Sequence, residues 1–421
     1  MKKLLQINLC SNVLSTGKIA EDIGELAIEA GWESYVAYGM KKCNPSKSKT
    51  IKIGGSGIFW PYVETLLWDN HSLGLSCRRA TKKLICEIEK IKPDVIQLHT
   101  IHCYYLNLRI LFEYLSNVDI PVVWTLHDCW AFTGHCAYFD AIGCGKWKTH
   151  CFSCPQKNKY PKSYFIDRSS KNFAEKKFLF NSVKDLTLVS VSEWLKNLVA
   201  QSFLRNKPLK LILNGIKTDL FKYNAAGARQ FRAQRGLDSN FLMLGVASSW
   251  TERKGLTDYC KLASLLDEKS RLVLVGLNPK QRQMLPDNII AINKTSDIQE
   301  LVAIYSAADV VLNLSVEETF GMTTIEGFAC GTPGIVYDKT ASPELITPDT
   351  GFMVEAGNMD QLTEALSMIR SNGRDYYSSA CRRRAEMYYD KNKNFLQYIA
   401  LYNDLTSRKQ NVVNENINCC K

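Results

Sequence analysis

Short apolar runs recur along the chain with amphipathic stretches between them: Leu4–Leu9, Ser34–Tyr38, Asp94–Leu98, Val122–Leu126 and Leu186–Val191, then Phe241–Val246, Leu272–Val275, Ile289–Ile292 and Val310–Leu314. Runs of this kind, separated by helical periodicity, predict strands buried on both faces and joined by crossover helices. The pattern describes an α/β protein with doubly wound parallel sheets, and the two groups of runs predict two Rossmann-like domains. From Asp360 to about Thr406 the pattern is helical, with a basic face at Arg382, Arg383 and Arg384, and the polar tail Ser407 to Lys421 is expected to fray.

A length of 421 residues exceeds one ordinary core and agrees with two domains. No apolar run approaches the roughly 18 residues that span a bilayer. Met1-Lys2-Lys3 runs straight into the first predicted strand with no cleavable signal, so a cytoplasmic location is expected. There the 15 cysteines are expected to be thiols or metal ligands more than a disulfide framework. The excess of 53 basic over 42 acidic side chains, a formal charge of +11, favours anionic partners: sugar diphosphates, lipid diphosphates, an anionic membrane face or nucleic acid.

Candidate chemistry concentrates around Gly321. Val310–Leu314 reads as a strand, Gly321 as a turn and Met322–Cys330 as a helix, with Glu318 before the helix and Glu326 one turn inside it. A helix start above a parallel sheet presents unpaired N–H groups and a positive dipole end, which suit a diphosphate. Carboxylates bind hydroxyls instead, so the two glutamates can bracket a nucleotide sugar. Arg253 and Lys254, between the predicted strand Phe241–Val246 and a helix start at Gly255, can neutralise a departing nucleoside diphosphate.

The string Glu317-Glu-Thr-Phe-Gly-Met-Thr-Thr-Ile-Glu326, continuing to Pro333, resembles the E-x7-E donor site of glycosyltransferase family 4, retaining sugar-nucleotide transferases with the GT-B fold of two Rossmann-like domains facing a cleft. The resemblance implies that Glu318 contacts the donor hexose, that Phe320, Gly321, Met322 and Thr323 hold the diphosphate and sugar, and that Glu326 binds the ribose. The family usually carries an upstream arginine in a pattern like G-R-L-x-x-x-K-G. Ser248 and Ser249 stand in that region here, so Arg253 is expected to replace the missing cation. Lys294, after the run Ile289–Ile292, is the candidate for base contacts, and Pro343-Glu344 resembles a further family feature. Leu211–Phe221 resembles the family's interdomain junction, which puts the acceptor domain at 1–214 and the donor domain at 215–391. The polar run Lys222–Asn240 suits a linker, and residues 392–421 are expected to form a helix crossing back toward the first domain, followed by the tail.

On the acceptor side, Leu14–Ala20 occupies the place of the family's glycine loop, with Gly17 as its one glycine. His127 and Asp128 follow a strand's C-terminal end, where they can hold sugar hydroxyls or assist proton movement, and the resemblance implies a histidine near the reacting sugar. His99 and His102 are expected to shape the acceptor cleft. Retaining transfer without an enzyme nucleophile needs mainly positioning and charge stabilisation. No Asp-x-Asp segment is placed like the metal site of the other glycosyltransferase fold, so metal-independent catalysis is expected.

Between residues 129 and 156, Cys136, Cys144, Cys151 and Cys154 end in a C-x-x-C and could coordinate a structural zinc, with Cys129, His135 and His150 as alternative ligands. Such a zinc would brace a loop with little apolar content of its own; buried thiols and disulfides remain open. The segment His127–Cys136 through Cys151–Gln156 resembles a bacterial subgroup that builds exopolysaccharide, capsule or lipopolysaccharide. The reading is a transferase using a UDP-, GDP- or ADP-sugar on a glycan or lipid-linked saccharide, with peripheral membrane contact. A nonhydrolysing sugar-nucleotide 2-epimerase shares the architecture and is the enzyme alternative. A zinc-braced nucleic-acid binder is the other, disfavoured by scattered basic residues.

Overall fold

The computed structural model describes residues 1–40, 43–54, 59–70 and 73–419, with side chains as far as residue 409. The chain divides into two units, one of Met1–Ile212 with Phe395–Lys421 and one of Leu213–Asn394.

The first unit is built on seven strands: β1 Lys3–Asn8, β2 Glu33–Tyr38, β3 Lys49–Lys52, β4 Val95–Leu98, β5 Val122–Leu126, β6 Leu186–Ser190 and β7 Leu209–Leu211. All neighbours are parallel, in the order β3-β2-β1-β4-β5-β6-β7. The direction of winding reverses between β1 and β4, which opens a crevice at the strands' carboxyl ends. β1 pairs on one side with Glu33–Tyr38 and on the other with Val95–Leu98, so Asn8 and the loop after it sit at that crevice.

The second unit has six strands: β8 Phe241–Val246, β9 Ser270–Val275, β10 Ile289–Ile292, β11 Val310–Asn313, β12 Gly334–Tyr337 and β13 Gly351–Val354. They form an all-parallel sheet in the order β10-β9-β8-β11-β12-β13, with the winding reversed between β8 and β11. Both sheets thus follow the doubly wound pattern that the apolar runs predict.

The C-terminal helix runs from Lys391 to Cys419. Phe395, Tyr398, Tyr402 and Leu405 share one buried cluster with Leu4, Val95 and Val189 of the first unit. A polar ladder runs through this packing: Tyr402 Oη donates to Gln97 Oε1 (3.1 Å), Gln97 Nε2 donates to Thr125 Oγ1 (2.7 Å), and Thr125 Oγ1 meets Tyr398 Oη (3.0 Å). Buried polar groups are tolerated here because each finds a partner.

Three expectations are corrected. The tail from Ser407 is helical to Cys419, held through its start by Arg408 pairing with Asp404 at 2.6 Å and Lys409 with Asp119 at 3.1 Å. The polar run after Lys222 contains a helix, Ala225–Ala233, capped by Asn224 and anchored by Arg232, which pairs with Asp309 at 2.7 Å. The segment 129–156 carries its own apolar core: Phe132, Phe139 and Trp147 are buried, with ring centroids 5.0–6.3 Å apart. Lys176 braces the same segment, donating to Trp130 O (2.8 Å) and Thr133 O (3.1 Å), and burial lowers its ammonium to about 7. Among the described residues no helix is long and apolar enough to cross a membrane.

Candidate active site

In the second unit the predicted cations and the first glutamate converge at the switch point. Arg253 and Lys254 lie in a short 3-10 turn, Glu252–Lys254, on the loop after β8, and Glu318 lies on the loop after β11. Lys254 Nζ bonds to Glu318 Oε2, and Arg253 donates to the Glu317 carbonyl. Val316 N–H returns a bond to Arg253 O at 3.0 Å, so the two loops are stitched through main chain as well as side chains.

Two glycines make this approach feasible. Gly255 has φ +72°, and a Cβ there would meet Leu314 O at 2.1 Å, so any side chain would force the loops apart. Gly321, with φ +99°, caps the helix Met322–Ala329. Phe320 is buried with its ring 5.9 Å from that of Tyr389, which pins the turn and leaves backbone at the helix start. First-turn amides of a helix have no intrahelical acceptor, so the end at Met322 and Thr323 is suited to an anion.

Glu318 has only 15 % of its side chain exposed. Burial alone would raise its carboxyl, but the charges of Lys254 and Arg253 and the hydrogen bond from Lys254 outweigh it and hold the group below the usual carboxylate range. Its backbone is fixed by Thr340, whose Oγ1 accepts from Glu318 N at 2.8 Å. Glu326, one turn into the helix, accepts from Tyr305 Oη at 2.7 Å. Lys294 is exposed beyond β10, the edge strand, and stands apart from the switch point.

In the first unit the candidate residues form two linked pairs, and the partners are not sequence neighbours. His99 Nδ1 meets His127 Nε2 at 3.2 Å, while His102 Nε2 meets Asp128 Oδ2 at 3.0 Å. Gln6 sets the tautomers. Its Nε2 donates to Ala20 O (2.7 Å), which turns Oε1 toward His99 Nε2 (3.0 Å). A neutral His99 then carries its proton on Nε2 and accepts at Nδ1 from His127 Nε2–H.

Burial drives His99 well below its ordinary range and His127 down to about 4, so both rings are neutral near pH 7. His102 behaves oppositely. Burial lowers it, but Cys103 and Asp128 more than compensate and raise it to about 10, and His102 in turn helps hold Asp128 ionised. Gly17 does not form a loop before the helix. It lies in the first turn of the helix Leu14–Glu29, where a Cβ would meet Cys10 Sγ at 2.8 Å.

Cys136, Cys144, Cys151 and Cys154 line one small hollow with His135 and Trp147. All four are free thiols, and among the described residues no three His, Cys, Asp or Glu side chains form a group that could hold a metal ion. Hydrogen bonds engage several of these side chains: Cys136 with Cys154, Cys151 Sγ accepting from Gly134 N (3.2 Å), His135 Nδ1 with Asp69 (2.6 Å) and His150 with Ser170 (2.8 Å). Among the described residues no group is set to hold zinc, and the buried aromatic side chains brace the segment.

Sequence reasoning missed Gln6, Tyr305 and Thr340. Each is a single polar residue with no local pattern, and only the fold brings it to the residue it orients.

Two all-parallel doubly wound units are the architecture of the GT-B fold. Residues 239–372 match the family model "Glycosyl transferases group 1". The Escherichia coli K12 protein WcaC, described as a putative glycosyl transferase of colanic acid biosynthesis, is 26% identical over 283 residues, 65% of this chain and 66% of that protein. The chain thus spans just under two thirds of that relative. Sucrose-phosphate synthase from Thermosynechococcus elongatus superposes with a TM-score of 0.74 at 18% identity, covering 97% of this chain and 100% of that one. Anabaena HepE, solved in complex with UDP-glucose, gives 0.66 at 15% identity, covering 96% and 100%.

Proposed function

We propose that the protein transfers a hexose from a nucleoside diphosphate sugar to a hydroxyl of a glycan or lipid-linked saccharide, with retention at the anomeric carbon, in cell-surface polysaccharide synthesis. The observation that carries this reading is the Lys254–Glu318 pair beside Arg253 at the switch point of the second sheet. Arg253 and Lys254 balance the charge that builds on the diphosphate as its bond to the sugar breaks. The helix start at Gly321 to Thr323 takes the diphosphate oxygens. Glu318, held ionised, accepts from hexose hydroxyls, and Glu326, oriented by Tyr305, accepts from the ribose. Lys294 is assigned to the base.

In this scheme the acceptor oxygen attacks on the face that the diphosphate leaves. The departing phosphate takes the acceptor's proton, and no enzyme nucleophile is required. On the acceptor side, contacts with sugar hydroxyls are assigned to His127 and Asp128, while His99 and His102 shape the site by orienting them. With His127 lowered to about 4, its ring serves as a hydrogen-bonding group more than as a base near pH 7. The work belongs in the cytoplasm, with peripheral contact at the inner membrane face. UDP is the first nucleotide to test, since HepE is solved with UDP-glucose.

Thermal unfolding with UDP, GDP and ADP tests the reading. One of them is expected to stabilise the protein by about 2.7 kcal/mol at 100 times its dissociation constant. Glu326→Ala should weaken that nucleotide about tenfold, whereas Glu318→Gln should leave nucleotide affinity within about threefold and reduce turnover about a hundredfold. If none of the three nucleotides shifts the transition, the proposal fails.

A further inference from the structure

The first unit holds a cavity of about 840 Å³ that the donor site does not use. Its wall carries Lys52, Arg78, Arg79 and Lys83 together with Trp60 and Tyr104. Lys52 ends β3, so it stands at the carboxyl edge of the sheet, the same edge from which His99 and His127 project. Arg78, Arg79 and Lys83 belong to the first two turns of the helix Arg78–Ile91, and Tyr104 lies on the loop after β4, two residues beyond His102. Four basic residues thus gather around one hollow.

Among the described residues none of these cations forms an ion pair with a carboxylate. The acid in the same wall, Glu87, is occupied by Lys90 at 2.7 Å. Like charges around one hollow repel, and an anion placed among them removes that repulsion and gains charge-assisted hydrogen bonds, most effectively from guanidinium forks to phosphate. The wall is also apolar in part: Trp60 is 72% exposed and Leu75, also in the lining, 73%. Exposed apolar side chains next to such cations suit a ligand that is anionic at one end and apolar at the other. The volume exceeds what a lone phosphate needs and lies in the range of sites that enclose a whole small ligand.

We propose that this cavity binds a phosphate-bearing amphiphile and that it seats the diphosphate of a lipid-linked acceptor. Its role as an acceptor site rests on the transferase reading; the anion site itself does not.

The test uses the full chain, titrated calorimetrically with farnesyl diphosphate and, separately, with glucose 1-phosphate. Arg78→Ala/Arg79→Ala and Lys83→Ala are compared with Lys171→Ala/Lys177→Ala, which removes equal charge from exposed positions on another helix. Farnesyl diphosphate is expected to bind saturably, to weaken about tenfold or more in the arginine variant and severalfold in Lys83→Ala, and to stay within about twofold in the control. Tighter binding of farnesyl diphosphate than of glucose 1-phosphate identifies the lipid as the source of the phosphate and supports the proposal; equal binding identifies a soluble sugar phosphate and overturns the lipid assignment. Absence of saturable binding, or equal losses in all variants, overturns the proposal. Nucleotide stabilisation followed in parallel separates the two readings. Its loss in the unaltered protein removes the transferase, and its persistence with no farnesyl diphosphate site removes the cavity alone.

Discussion

Gln6, His99 and His127 form a chain in which one amide, fixed by a main-chain carbonyl, decides which nitrogen of each ring carries a proton. The pH dependence of stability follows from the same burial. His127 titrates near 4 when folded against an ordinary 6.5, and His99 is also lowered. Between those values the unfolded chain binds protons that the folded one does not, so stability should fall as pH drops from about 6.5 toward 4. His102 acts in the other direction: raised to about 10, it contributes stability that is fully present below 6.5 and lost as pH rises through about 10. Urea midpoints from pH 4.5 to 9.5 should show both slopes. His127→Asn should flatten the acid side and His102→Gln the alkaline side; an unchanged acid slope would contradict the burial of His127, and an unchanged alkaline slope the pairing of His102 with Asp128 and Cys103. His127 is legible in the sequence because it ends an apolar strand, whereas its pairing with His99 instead of Asp128 is set by the register of β4 against β5.

At the scale of elements, the donor loops depend on backbone that only glycine adopts easily. Gly255→Ala should destabilise the second unit by about 1–3 kcal/mol, since it combines a positive φ with a blocked approach to Leu314 O. The same change should lower nucleotide affinity, because it separates Lys254 from Glu318. Urea denaturation together with nucleotide titration would measure both, and a variant that loses stability but keeps nucleotide affinity would argue against the link. The long apolar strands are legible from their runs alone. β3 is hidden because Lys49-Thr-Ile-Lys52 is an exposed edge with little apolar content, and β7 because it has only three residues. β12 begins at Gly334, directly after Gly331-Thr-Pro333, so a turn signal masks an apolar strand. The aromatic core of segment 129–156 is illegible in the sequence because Phe132, Phe139 and Trp147 follow no helical or strand period.

At the scale of the molecule, the first unit is discontinuous in sequence: residues 1–212 are completed by 395–421. Tyr402 is fully buried, packs edge-on against Trp32 at 5.9 Å and donates to Gln97. Tyr402→Ala should cost the first unit about 3–5 kcal/mol, and Tyr402→Phe, which keeps the ring and loses one hydrogen bond, about 1 kcal/mol. Limited proteolysis should then cut the first unit while a fragment near residues 213–394 survives. Equal sensitivity of both units would show that they do not unfold separately.

That discontinuity also fixes an order of events during synthesis. Domains commonly fold as they emerge, the earlier one first. Here the second unit is whole once residue 394 has been made, while the first still waits for Phe395 through Leu405 to cover Leu4, Trp32 and Val95. The part translated first is finished last, and until then the apolar surface awaiting the helix is what a nascent-chain chaperone would find.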